Sequence, residues 1–413
     1  MNCVGGLQVA RAEARGSGRL IMANWAGVQE YMRSQKIDGW LVYDFRGNNS
    51  VFAQVLPGKR WTTRRAALFI PATGEPSLIM HGIDEHQFKK LDVKQARYLS
   101  WQDFRSTLTD KLQGASRVAM EYAAGGALPV VSIVDAGTVE MIRSLGVDVV
   151  SSANLIQVHV ARWSESAQKL HREACDLVGK IKDEAFSLIR DKLSANKVVH
   201  EHEVQQFIMS RFTDSKLETS EPPIVGVNAH SGDPHFEPSA DKPTPIKKGD
   251  WILIDLWARR PGEENIFCDI TWVGYAGSSV PEKHQKVFNT VKAARDAAVQ
   301  RAKQGWSKKE ALQGWQLDEA ARAEIINAGY AEFIRHRTGH SLSPGPMVHG
   351  LGVNIDNLET HDTREILPGI GYTVEPGIYT PEFGVRLEIN VFTDPTKGPI
   401  VTSCIQDEVV RVG

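Results

Sequence analysis

Residues 250–274 read DWILIDLWARRPGEENIFCDITWVG, and few folds accommodate that string. Two apolar runs, WILIDLW and NIFCDITWV, have the length and the β-branched and aromatic content of buried strands. Each carries one charged residue in its apolar body, Asp255 in the first and Asp269 in the second. Between them RRPGEE is turn chemistry. Gly262 is the midpoint of the two aspartates, so a simple fold-back predicts a hairpin with Asp255 directly opposite Asp269. Like charges at opposed positions destabilise a strand pair, and a buried carboxylate without a partner is costly. A positive species between them resolves the conflict. The plain alternative is two unrelated acids, one ion-paired and one capping a turn.

The pattern recurs downstream. GYTVEPGIYTPEFGVRLEINVFT places Glu375 at the end of one strand-like run and Glu388 in the next, at nearly matching distances from a Pro381–Glu382 turn. Arg386, two residues before Glu388, projects to the same side of its strand and is expected to buttress one of the carboxylates. Four carboxylates on two hairpins suit two divalent cations bound through oxygen, and one imidazole would complete the set.

FIRHRTGHSLSPGPMVHG, residues 333–350, supplies three imidazoles: His336, His340 and His349. His336 and His340 are four apart and would share a helix face, yet Gly339, Pro344 and Pro346 end any helix there. The HxxxH spacing also lacks the glutamate of the HExxH zinc motif. His349 follows in an extended stretch. Upstream, HSGDPHFEPSA puts His230 and His235 in a Gly/Pro-rich loop just ahead of the Asp255 strand.

A chain of 413 residues exceeds what one core usually organises, which predicts two domains. Residues 24–158 alternate helical and strand-like segments and predict a small α/β domain. They include WAGVQEYMRSQ as a helix, GWLVYDF as a strand, a hairpin AALFIP–ATGE–PSLIMHG, then RVAMEYA, a helical VVSIVDAGTVEMIRSL and a strand-like VDVVSS. The second domain, 159–413, opens on a helix behind Ser164 as N-cap, with Leu170, Ala174, Leu177, Ile181, Ala185 and Leu188 at helical spacing. It repeats a coarse helix-then-strand-pair order. Residues 1–23 are Gly- and Arg-rich and predicted to be a disordered extension, within which Met22 is an alternative start to Met1.

A net charge of −2 gives no electrostatic argument for nucleic-acid or membrane-surface partners, and none is expected. No apolar run reaches transmembrane length. Cys3, Cys175, Cys268 and Cys404 are scattered without a CxxC, as expected of reduced thiols in a cytoplasmic enzyme. Cys268 reads as a buried structural thiol.

The ordered set Asp255, Asp269, His340, Glu375 and Glu388, in the strings ILIDLWARR, FCDITWVG, RTGHS, TVEPGIY and GVRLE, resembles the metal ligands of the pita-bread metallopeptidases. That family includes methionine aminopeptidase, aminopeptidase P, prolidase and the metal-free creatinase. The resemblance runs from about residue 24 onward. It implies an α/β N-terminal domain of the creatinase type followed by an α+β pita-bread catalytic domain. It further implies Asp255 on one metal, His340 and Glu375 on the second, and Asp269 and Glu388 bridging both. The ions would be two Mn²⁺, or Co²⁺ or Zn²⁺, with Glu375 as proton shuttle for the metal-activated water. His235 would contact substrate, His349 would act near the leaving group, and His336 would line the cleft; His361 is a weaker candidate for the same wall. The implied activity is hydrolysis of Xaa-Pro bonds in small peptides by a homodimer.

Three segments depart from the family pattern. The connection between the aspartates is long, SLSPGPMV stretches the interval from His340 to His349, and LEINV follows the last ligand where IED is commoner. All border the expected cleft, so a creatinase-like amidohydrolase on a non-peptide amide is the alternative enzyme, and a peptide-binding module the non-enzymatic one.

Overall fold

The computed structural model describes residues 25–58 and 60–413. The extension at 1–23, with Cys3 and both alternative starts, lies outside them. The chain divides into two compact units, with the boundary between Ser164 and Glu165.

The first unit is a six-stranded mixed sheet of β1 (Gly39–Phe45), β2 (Arg65–Pro71), β3 (Ser77–His81), β4 (Lys94–Tyr98), β5 (Arg117–Met120) and β6 (Asp148–Ser151), in the order β4-β3-β2-β1-β5-β6. Its helices are α1 (Ala26–Ser34), α2 (Ser50–Val55), α3 (Glu85–Phe88), α4 (Trp101–Lys111), α5 (Ala136–Arg143) and α6 (Ala153–Ile156). The β2–β3 pair is antiparallel, as the ATGE turn predicts. Helix α5 is shorter than its sequence pattern predicts, because Asp135 accepts the Thr138 N–H at 2.8 Å and starts the helix there.

The second unit repeats one plan. Helices α7 (Glu165–Ser194) and α8 (Glu201–Asp214) precede β7 (Ile224–Val227), β8 (Trp251–Ala258) and β9 (Cys268–Tyr275). Helices α9 (Glu282–Lys308) and α10 (Gly314–Asn327) precede β10 (Ser341–Leu342), β11 (Gly371–Val374), β12 (Gly377–Tyr379), β13 (Gly384–Arg386), β14 (Ile389–Asp394) and β15 (Gly398–Val401). A last strand, β16 (Val410–Arg411), completes one four-stranded sheet, β16-β9-β8-β7; the other is β10-β11-β14-β15, with β12–β13 a separate ribbon.

Strand β8 is buried on both faces, which is why it reads as a continuous apolar run. Ile252, Ile254 and Leu256 pack with Val178, Ile181, Ala185 and Ile189 of α7. Trp251 and Leu253 point the other way, into a core shared with β11, β14 and α9. Helix α7 meets the sheet with a stripe rotated slightly from the predicted one: Ala174, Ile181 and Ala185 are buried, whereas Leu170, Leu177 and Leu188 lie at its margin. The period of two places Asp255 and Asp269 on the face turned away from α7.

Candidate active site

The β8–β9 register corrects the simple fold-back. Asp255 pairs with Thr271, and Asp269 pairs with Trp257. The aspartates are therefore diagonal neighbours, two residues out of opposition, because the connection at 259–267 is a folded loop and not a tight turn about Gly262. An offset of two preserves the face, so both carboxylates still point the same way. The second hairpin is in direct opposition. Val374 pairs with Ile389 and Gly377 with Arg386, and both ladders extrapolate to Glu375 facing Glu388 across the break between them.

Backbone contacts bring the two hairpins together. Asn390 accepts the Asp269 N–H at 3.0 Å and donates to the Asp269 carbonyl. The Glu388 N–H reaches the Thr271 carbonyl. His340 enters from a third segment: its N–H donates to Thr373 Oγ1 at 2.9 Å, and Thr373 N–H donates to its carbonyl at 2.8 Å. Gly339 permits this approach, since a Cβ there would stand 2.1 Å from the Thr373 carbonyl oxygen.

Ligand atoms of Asp269, His340 and Glu388, all buried, lie within 4.8 Å of one another. His340 Nε2 is 3.3 Å from Asp269 Oδ2 and 3.5 Å from Glu375 Oε1. The other ring nitrogen, Nδ1, donates to the Ser341 carbonyl at 3.1 Å, which leaves the Nε2 lone pair facing the carboxylates. Arg386 is the cation bonded to this group: Nη2 pairs with Asp255 Oδ2, and Nε donates to Thr271 Oγ1 at 3.0 Å. Thr271 Oγ1–H donates in turn to Glu388 Oε2 at 2.8 Å, and Thr373 Oγ1–H donates to Glu375 Oε1 at 3.0 Å.

One guanidinium does not neutralise four clustered acids. Burial, then the charges of Asp255 and Glu375, holds the Asp269 carboxyl well above the usual range. Burial and Asp269 do the same to Glu388, and burial with Asp255 pushes Glu375 up to about 7. His340 moves oppositely, well below the usual imidazole range, through burial and then the neighbouring His349 charge. Asp255 Oδ1 is buried and has no hydrogen-bond partner among the described residues. A cluster rich in carboxylate oxygen, short of positive charge, with one orphaned oxygen and one inward imidazole lone pair, fits divalent cations.

The other histidines divide. Neither His235 nor His349 is buried; the His349 ring centroid is 4.0 Å from that of His340, and the charge of His235 is felt at both His336 and His349. His336 is engaged on both sides. Its Nδ1 donates to the Arg337 carbonyl and its Nε2 accepts from Tyr379 Oη, each at 2.6 Å. Burial, then the Arg386 charge, keeps His336 neutral, with its pKa down to about 3. Tyr379 in turn accepts from Arg386 Nη1 at 2.9 Å. His230 faces Glu201 at 3.0 Å, and His361 stacks on Trp315 and bonds Asn357. Sequence reading missed Thr271, Thr373, Tyr379 and Asn390. A signal existed for three of them: D-x-T, T-x-E and R-x-E-x-N repeat polar residues every second position within otherwise apolar strands.

Residues 169–395 match metallopeptidase family M24. The chain belongs to that family. It is 30% identical over 230 residues to a Xaa-Pro dipeptidase of Pyrococcus horikoshii, a match covering 54% of this chain and 58% of that protein. It is 28% identical over 204 residues to a Xaa-Pro dipeptidase of Lactobacillus delbrueckii, covering 49% of each. These matches span about half the length of the curated relatives. The fold is similar to that of a prolidase from Thermococcus sibiricus, with TM-score 0.61 at 22% identity over 94% of this chain and 97% of that one. Dipeptidase PepE from Mycobacterium ulcerans superposes with TM-score 0.68 at 20% identity, over 94% and 96% of the two chains.

Proposed function

We propose that this chain is a metal-dependent hydrolase of Xaa-Pro bonds in small peptides. The observation that carries the reading is the under-neutralised cluster of buried Asp255, Asp269 and Glu388 with partly buried Glu375 around the His340 lone pair. These five residues would hold two divalent ions, and the preponderance of carboxylate oxygen favours Mn²⁺ over Co²⁺ or Zn²⁺. Such ions supply a Lewis acid and lower the pKa of water toward neutrality. Everything else falls to the chain. Glu375, its carboxylate 3.5 Å from His340 Nε2, takes a proton and returns it to the leaving nitrogen. His235 and His349, open to solvent at the rim, donate hydrogen bonds to the substrate carbonyl and the leaving side. Arg386 keeps Asp255 in place, and His336, with both nitrogens engaged, holds Tyr379 against Arg386 instead of contacting substrate. Support for Xaa-Pro substrates comes from the relatives' names and the family resemblance.

The same proposal extends to a cytoplasmic homodimer. The three described cysteines are free, and no helix among the described residues is long and apolar enough to cross a membrane. Phe45, Trp61, Ile83, Leu99 and Trp101 are exposed at one end of the first unit's sheet, an apolar rim that a second copy would cover. Light scattering coupled to size exclusion tests it; a monomer at micromolar concentration refutes it.

The deciding experiment is metal analysis of protein purified without added metal, followed by a peptide panel with and without Mn²⁺, varying length and the residue after the scissile bond. Metal-stimulated cleavage confined to Xaa-Pro is the expected result. Metal-independent turnover of a guanidino or acyl-amide compound would sink the proposal.

A further inference from the structure

Two of the segments that depart from the family pattern touch each other. Gly345, in the stretched interval between His340 and His349, donates its N–H to the Glu263 carbonyl at 2.7 Å. Its carbonyl accepts from Arg259 Nη1 at 2.5 Å. Both polar groups of this residue are thus taken by the long connection between β8 and β9. Arg259 is 4% exposed, and its guanidinium also donates to Glu218 Oε1 at 2.8 Å and to the Asn265 carbonyl, stacked 4.4 Å above the Phe267 ring.

The loop that Arg259 holds is closed independently at its base. Gly350 N–H donates to the Ser341 carbonyl at 2.8 Å, and Leu351 N–H to Ser343 Oγ at 3.1 Å. A Cβ on Gly350 would stand 2.2 Å from Ser343 Oγ, so the two legs close only around glycine. Beyond Gly345 the loop tip is open, with Pro346 and Met347 exposed, and it returns through Val348 to His349. A buried guanidinium is costly unless paired, and Arg259 is paired with Glu218 while its Nη1 is shared between the Asn265 carbonyl and the buried Gly345 carbonyl. Its clear consequence is a fixed path for the four residues that lead to His349.

We infer that Arg259 is a positioning residue for His349, tying the histidine's loop to the inter-aspartate loop so that His349 has a second anchor besides the loop base and its ring contact with His340. The inference rests on the proposed function for the role of His349, but not for its placement. Lysine at 259 keeps the charge but loses the planar fork in which Nε holds Glu218 while Nη1 reaches the Asn265 and Gly345 carbonyls. Arg259→Lys is expected to keep its full metal content, while in histidine-labelled protein loaded with diamagnetic Zn²⁺ the His349 imidazole signals broaden or shift relative to the wild type. With Xaa-Pro substrate kcat is expected to fall about 10-fold or more, with KM less affected. Glu218→Gln, which spares the Gly345 tether, should leave the His349 signals in place. Pro346→Gly, on the exposed tip, loosens the path without touching the core and should reproduce the His349 change, so it carries the test if Arg259→Lys does not fold. Unaltered His349 signals in either folded variant overturn the inference, as does a kcat loss that only tracks metal loss or unfolding. If the wild type cleaves no Xaa-Pro peptide, the proposed function fails while the resonance measurement still judges the placement.

Discussion

Buried acids serve two purposes in this chain. Glu121, in the first unit, is fully buried and fully furnished: Trp40 Nε1 donates to Oε1 at 2.8 Å, Asn49 Nδ2 to Oε2 at 2.7 Å, and Ser152 Oγ to Oε1 at 3.0 Å. In the second unit Asp255, Asp269 and Glu388 are buried too, yet they crowd one another and leave Asp255 Oδ1 without a donor. Donors around a lone carboxyl make a structural element, since both of its oxygens are answered. Acids turned on acids make a site that is incomplete until a cation arrives.

The contrast is broken most directly at Asp269. Asp269→Asn is expected to lose bound metal, by elemental analysis, and about 10³-fold in kcat/KM, equivalent to ~4 kcal/mol of transition-state stabilisation. The same isosteric change at Glu121 should leave activity per folded molecule alone. Retained metal and turnover in Asp269→Asn would end the comparison.

Next in size is the pH dependence of the first unit. Burial, opposed by its donors, raises Glu121 to about 7 from the ordinary 4.5 of a free glutamate. The folded state therefore holds this proton more tightly than the unfolded chain. Its contribution is complete below pH 4.5 and declines as pH rises through 7, a loss on the order of 3 kcal/mol. Denaturant unfolding of the first unit against pH should show that slope in the wild type and not in Glu121→Gln. A flat wild-type profile between those limits would mean that its donors, not burial, govern Glu121.

Metal addition comes third. At 100 times the dissociation constant, Mn²⁺ should stabilise the second unit by about 2.7 kcal/mol in thermal or denaturant melts, and Asp269→Asn should show no gain. Because Glu375 holds a proton up to about pH 7 in the metal-free protein, binding must expel protons and the affinity should weaken as pH falls below that value. Titration calorimetry in buffers of different ionisation enthalpy measures the release directly; none would contradict the reading of the cluster.

The smallest effect has opposite signs in the two regions. Without metal, Asp269→Asn removes an acid whose ionisation is penalised by burial and by its neighbours, and should raise stability by about 1 kcal/mol. Glu121→Gln must turn an amide N–H₂ toward existing donors and should lower stability at acidic pH by about 1–2 kcal/mol. A destabilised metal-free Asp269→Asn would show that the acids are better satisfied than their bonding suggests.

Much of the site was legible because strands alternate. A lone acid in an apolar run must face something other than the core, and that argument reached Asp255, Asp269, Glu375, Glu388 and the buttress Arg386. The diagonal register of the aspartates was not legible, since it depends on how 259–267 folds, with Asn265 bonded back to Gly262 and Pro261. The engagement of His336 by Tyr379 was hidden by their distance in sequence, as was the tether between Arg259 and Gly345.

By itself the sequence determined the faces. Period two is a property of the extended backbone, so D-x-T, T-x-E and R-x-E-x-N each commit their polar residues to one side of a strand wherever that strand is placed. Only the tertiary structure decided which sides meet. Asn390 locks β14 onto Asp269, Thr373 draws in His340, and Arg386 takes one oxygen of Asp255 and leaves the other unanswered. Those contacts span more than a hundred residues in places. They form because two apolar sheets must bury facing surfaces, a condition that no local pattern contains.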